Sequence, residues 1–172
     1  MKWTTKQLTL CAVLTALALA LSYAESWFPL SWAVPLPGFK LGLANIVTVF
    51  ALFALSPGQA AMILLARCLL GSLFAGNMNA LFYSLLGGFA ALAVEILLSK
   101  FRGLSLYGIS VGGAAAHNTG QVCAAMITLG SAAPLYYLPL LLGVSLLTGA
   151  LTGLIAACLF KALSYTDLVR FS

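Results

Sequence analysis

Six apolar runs, at about 8–28, 41–55, 59–74, 80–98, 106–129 and 135–163, fill almost the whole sequence, and charged side chains hardly interrupt them. A helix needs roughly 20 apolar residues to cross the hydrocarbon core of a bilayer. The runs therefore constrain the chain to cross and recross a membrane. Hydrophobic residues are 63% of the 172 and charged residues 6%, against about 45–50% and about 25% in soluble domains. Too few charges remain to solvate a soluble globule of this length. The expected class is an all-α integral membrane protein, one transmembrane domain over residues 1–172 with about six helices. The second and third runs are short, so tilted, bent or protein-shielded helices are expected there.

The breaks carry their own chemistry. Pro29, Pro35, Pro37 and Gly38 make a long first loop, and Ser56-Pro57-Gly58 reads as a tight turn. Gly76 to Asn79, Lys100 to Gly103 and Gly130 to Pro134 mark the later breaks. With the N-terminus inside, Lys2, Lys6, Lys100, Arg102, Lys161 and Arg170 all fall on the cytoplasmic side. Lys40 falls at the outer side and Arg67 within a span. That is the positive-inside pattern, so both termini are expected in the cytoplasm of a multi-pass plasma-membrane protein. The apolar run from Leu8 continues toward Phe28 without a small-residue cleavage site, unlike a removable signal peptide. The net charge of +5 has no basic stripe behind it, so no nucleic-acid partner is expected.

Several chemistries are absent. No GxxxxGK[ST] loop exists to cradle the phosphates of ATP. The acids, Glu25, Glu95 and Asp167, are too scattered to hold magnesium or divide acid and base roles. One histidine and four dispersed cysteines, Cys11, Cys68, Cys123 and Cys158, make no metal or disulfide pattern. No cofactor, metal or catalytic residue is expected. Energised work would draw on another polypeptide or on an ion gradient.

Two helices carry patterns instead. Ala12, Ala16, Ala20 and Ala24 recur every fourth residue, a ridge of small side chains along one face of the first helix. Small residues let helix backbones approach closely in lipid, where packing rather than water release drives association. The ridge reads either as an internal contact or as a docking face for a separate membrane subunit. In the fifth run, Gly108, Gly112, Ala116 and Gly120 form a second small-residue ladder. Beside it Gly113, His117 and Gln121 stack at four-residue spacing, with Asn118 adjacent. Polar groups inside a span are costly unless they face protein or a cavity. A helix–helix hydrogen-bond cluster would satisfy them; ligand contact is the reading preferred here, because other polar groups converge from elsewhere.

Those groups lie toward the outer half. Glu25, Trp27 and Trp32 flank the first loop, and Lys40 and Asn45 open the second run. Asn77 and Asn79 open the fourth, with Tyr83 one turn later, and Arg67 lies deep in the third and needs a partner. The tryptophans also suit an interfacial belt, and Lys40 a snorkelling anchor. Glu95 reads as structural, within reach of Lys100 or Arg102. The candidate ligand-binding set is thus Glu25, Trp32, Lys40, Asn45, Arg67, Asn77, Asn79, Tyr83, His117, Asn118 and Gln121, inferred from polarity and depth.

The layout resembles the substrate-binding S components of energy-coupling factor (ECF) vitamin transporters: chain length, six spans, inside termini, an AxxxA-type ridge and a Pro-rich first loop. A narrower resemblance rests on Pro37-Gly38-Phe39-Lys40-Leu41-Gly42-Leu43-Ala44-Asn45-Ile46-Val47-Thr48 and on Gly113 through His117-Asn118-Thr119-Gly120-Gln121. These segments look like the Gx transporter family, whose members are often labelled heptaprenyl diphosphate synthase component I. The S-component resemblance implies a ligand held near the outer face under the first loop. It also implies a ridge that meets a membrane coupling subunit, driven by two cytoplasmic ATPases. Prenyl-chain synthesis, by contrast, uses aspartate-rich motifs, and this sequence has a single aspartate.

The function expected is a substrate-binding membrane subunit for uptake of a small organic, vitamin-like solute. The alternatives are a membrane accessory subunit of prenyl diphosphate synthesis and a stand-alone secondary carrier.

Overall fold

A computed structural model describes residues 4–27 and 40–163. The element order is α1 (Thr5–Ser26), α2 (Asn45–Ala54), α3 (Pro57–Ala75), α4 (Met78–Leu98), α5 (Leu106–Leu129), a 3-10 segment (Ala133–Tyr137) and α6 (Leu138–Leu163). Each boundary has a local cause. Thr4 and Gln7 form a reciprocal capping box at the start of α1. Ser56, Asn77 and Ser105 accept from the backbone N–H three residues on and so cap α3, α4 and α5. Pro57 occupies the first turn of α3, where a missing N–H costs nothing. Gly76 and Gly130, at φ +60° and +61°, end α3 and α5 in the left-handed conformation.

Among the described residues four helical stretches are long and apolar enough to cross a membrane: Thr5–Glu25, Pro57–Ala75, Met78–Leu98 and Ala133–Ala162. The chain is therefore a multi-pass membrane protein by length and composition. The second apolar run is helical only over the ten residues of α2; at about 1.5 Å per residue that is half the hydrocarbon thickness. The residues before it, from Lys40 to Ala44, are extended or turned. Gly42 sits there at φ +88°. That conformation strains residues with a Cβ, so the helix starts after it.

In lipid, burying leucine against leucine gains little, so close backbone packing has to hold the bundle together. Helices α4, α5 and α6 show it. A Cβ added at Gly120 would meet the Leu86 carbonyl oxygen at 2.7 Å, and one at Gly149 would meet Val111 Cα at 2.5 Å. The ladder of the fifth run thus packs at its Gly120 end directly on the α4 backbone. On the other side, Leu14, Val47, Phe50, Ile63 and Leu64 join α1, α2 and α3 in one apolar core. Leu73 and Leu147 stay exposed, as lipid-facing side chains do.

Candidate functional site

The short segment Lys40–Asn45 is held by polar side chains from three helices. Glu25, near the end of α1, is buried; its Oε1 accepts the Gly42 N–H at 2.7 Å and its Oε2 the Leu43 N–H at 3.3 Å. A carboxylate bonded to free N–H groups just ahead of a helix fixes where that helix begins, and α2 begins two residues later. From α5, Gln121 Nε2 donates to the Lys40 carbonyl at 3.0 Å and Gln121 Oε1 accepts the Lys40 N–H at 3.1 Å. One amide side chain thereby pairs with both backbone groups of one residue. Gln121 Nε2 also contacts His117 Nε2, one turn back on α5. His117 closes over Gly42, where an added Cβ would lie 3.0 Å from its Cδ2. From α3, Arg67 Nη2 donates to Asn45 Oδ1 at 3.1 Å, in a fully buried pair.

Glu25, Lys40, Asn45, Arg67, His117 and Gln121, six of the residues singled out by polarity, therefore converge. The others go elsewhere. Asn118, next to His117 in sequence, turns to α6, where its Nδ2 donates to the Leu141 carbonyl at 3.0 Å and Ser145 Oγ at 2.8 Å. Tyr83 is buried, its hydroxyl 3.0 Å from Thr128 Oγ1 across the α4–α5 contact. Asn77 caps α4, and Asn79 is exposed in the first turn of that helix. Trp27 is exposed with its ring against Tyr23. Trp32 lies outside the described residues. Glu95 does not pair with Lys100 or Arg102: it is packed on Gly113 with Oε2 unpartnered, while both bases are exposed beyond the end of α4. Among the described residues no three His, Cys, Asp or Glu side chains are grouped to hold a metal ion.

Beside the knot lies open space. A cleft of about 680 Å³ runs between the C-terminal halves of α1 and α3, lined by Leu19, Ala20, Tyr23, Lys40, Phe74 and Ala75 among others. Its volume is in the range of small-molecule sites, about 300–1,000 Å³. A recess of about 10 Å³ shares Ser22, Lys40 and Gly71 with it and reaches Arg67, Ser72, Ala80 and Ser84. Ser22, Tyr23 and Ser84 were not selected by sequence. Ser22 carried a usable signal, since it lies three residues before Glu25 on the buried face of α1.

The alanine ridge is on the other side of that helix. Cys11, Leu14, Ala18, Ser22 and Glu25 are buried, whereas Ala12, Ala16, Ala20 and Ala24 are all exposed. Ala12 and Ala16 line an open groove of about 370 Å³ with Thr15, Leu19, Met62 and Ala66.

Comparisons with known proteins bear on family and on fold. The model of the heptaprenyl diphosphate synthase component I family matches residues 14–159. A crystal structure of an S-component of an ECF transporter superposes with a TM-score of 0.72, at 22% identity, covering 97% of this chain and 89% of that one. No match was found among curated protein sequences.

Proposed function

This chain belongs to the heptaprenyl diphosphate synthase component I family, and on that premise we propose that it is the substrate-binding membrane subunit of an uptake system for a small organic, vitamin-like solute. Energy comes from a separate module, a membrane coupling subunit with cytoplasmic ATPases, because this sequence has no phosphate-cradling loop of its own. The observation that carries the reading is the alanine ridge left exposed on α1, in a fold like that of an S component and beside a ligand-sized cleft. A smooth exposed ridge allows a second membrane helix to approach closely. The solute takes the outer cleft, and the polar knot around Lys40 positions its floor. Both termini face the cytoplasm across the plasma membrane, as the distribution of basic residues favours. Binding and release need no covalent step, so the subunit is not itself an enzyme.

Mass spectrometry of small molecules retained by gently purified protein identifies the solute. Proteoliposomes holding this chain and its coupling module then take that solute up only with ATP. Uptake without the module or ATP refutes the subunit reading and points to a stand-alone carrier. The family's description favours a second reading, a membrane accessory to prenyl diphosphate synthesis. A prenyl-transfer defect on deletion, with uptake intact, would establish that one instead.

A further inference from the structure

We infer that the solute is an amphipathic organic anion, its acidic group drawn to Lys40 and Arg67 and its apolar body lying along α1 and α3; this deepens the solute-binding reading and rests on it. The first observation is an unbalanced set of charges. Lys40 and Arg67 line the recess, and among the described residues no acidic side chain lines either the recess or the cleft. Glu25, in electrostatic reach of both bases, spends its two oxygens on the Gly42 and Leu43 N–H groups, and Glu95, in reach of Arg67, is packed on Gly113 and lines neither space. Arg67 is buried, bonded through Nη2 to the neutral Asn45 amide, and its Nε has no partner. A guanidinium held out of water needs a matching acceptor, and a bound carboxylate or phosphate oxygen would supply it.

The second observation is shape. The recess beside Arg67 has a volume of about 10 Å³. A cavity of that size admits about one water-sized group. A single anionic oxygen fits it, whereas a ring system does not. Ser22 and Ser84 around it add hydroxyl groups that can donate to the same oxygen. Beyond Lys40 the space widens into the cleft of about 680 Å³, whose walls are Leu19, Ala20, Tyr23, Phe74 and Ala75. The polarity therefore runs one way, cationic at the narrow Arg67 end and mostly apolar along the wider cleft. A ligand complementary to that gradient carries its charge at one end.

The test uses three probes with one body and different headgroups: 1-pyrenebutyrate, 1-pyrenebutanol and 1-pyrenebutylamine. Binding to the full chain in nanodiscs is read by pyrene fluorescence, with empty nanodiscs correcting for partition into lipid. The anion should bind roughly tenfold or more tighter than the alcohol, the amine weakest, as charge-assisted hydrogen bonds predict. Lys40→Gln, a change on a half-buried segment outside the helices, should bring anion and alcohol to within about threefold of each other, with most of the loss on the anion. Arg67→Gln should do the same if the protein folds. Equal binding of the three probes overturns the anionic class, as does an anion preference that survives Lys40→Gln. Either result leaves the solute-binding reading standing, because that reading is judged by ATP-dependent uptake of the molecule retained on purification.

Discussion

Gln121→Leu removes the side chain that holds Lys40 in place while filling nearly the same volume. Two hydrogen bonds to Lys40 are lost, at 3.1 Å to its N–H and 3.0 Å from Gln121 Nε2 to its carbonyl, along with the contact to His117 Nε2. Each neutral bond nets about 0.5–1.5 kcal/mol in proteins generally, and side-chain bonds in a membrane protein average about 0.6 kcal/mol. The two together come to about 1–2 kcal/mol of anchoring. At about 1.4 kcal/mol per factor of ten, the detached state of the segment becomes about five to thirty times more populated. The Glu25 carboxylate still holds Gly42 and Leu43, so the effect should be largest at Lys40 and fade toward Leu43.

Hydrogen exchange resolved to single amides, on protein in nanodiscs, measures this directly. The Lys40 amide should exchange about five to thirty times faster in Gln121→Leu, with core amides of α4 and α5 and the melting temperature nearly unchanged. Ligand affinity should fall by no more than the same factor, since only the segment-docked state binds. Asn118→Leu is the control: its bonds go to α6, so it should loosen α5 against α6 and leave the Lys40 amide alone. Unchanged exchange at Lys40 in Gln121→Leu refutes the anchoring role. Equal acceleration in Asn118→Leu refutes the division of labour between the two side chains.

Ala12→Leu combined with Ala16→Leu should fold and bind solute as before, because both positions are exposed and neither lines the solute cleft, yet fail to co-purify with a coupling subunit; a drop in folding and binding together would assign the ridge to internal packing. Gly149→Ala would place a Cβ 2.5 Å from Val111 Cα and should lower stability in mixed micelles by about 1–3 kcal/mol. Gly143→Ala on the same helix meets nothing within 4 Å and should be neutral or stabilise by up to about 1 kcal/mol through helix propensity. In a background without native cysteines, Ala132→Cys should be labelled from outside the cell and Gly103→Cys spared; the reverse pattern overturns the orientation.

Class and helix content were legible in the sequence because they rest on local properties. Apolar length decides whether a segment enters the bilayer, and Ser56, Asn77, Ser105, Gly76 and Gly130 punctuate the helices through bonds and backbone angles within a few residues of themselves. The four-residue alanine spacing likewise identified one face of α1 without reference to any neighbour. What the sequence left open was which way each helix turns. In a soluble protein the polar face marks the outside, but here lipid and core are both apolar, so composition hardly distinguishes them. Rotation was decided by where backbones pack closest, at Gly120 on Leu86 and Gly149 on Val111. That rotation sent His117 and Gln121 toward Lys40, and Asn118, one position away on the helix, toward α6. It also joined Gln121 to a backbone 81 positions distant and Arg67 to Asn45. Sequence spacing could nominate these polar groups; only the packing of the bundle could choose their partners.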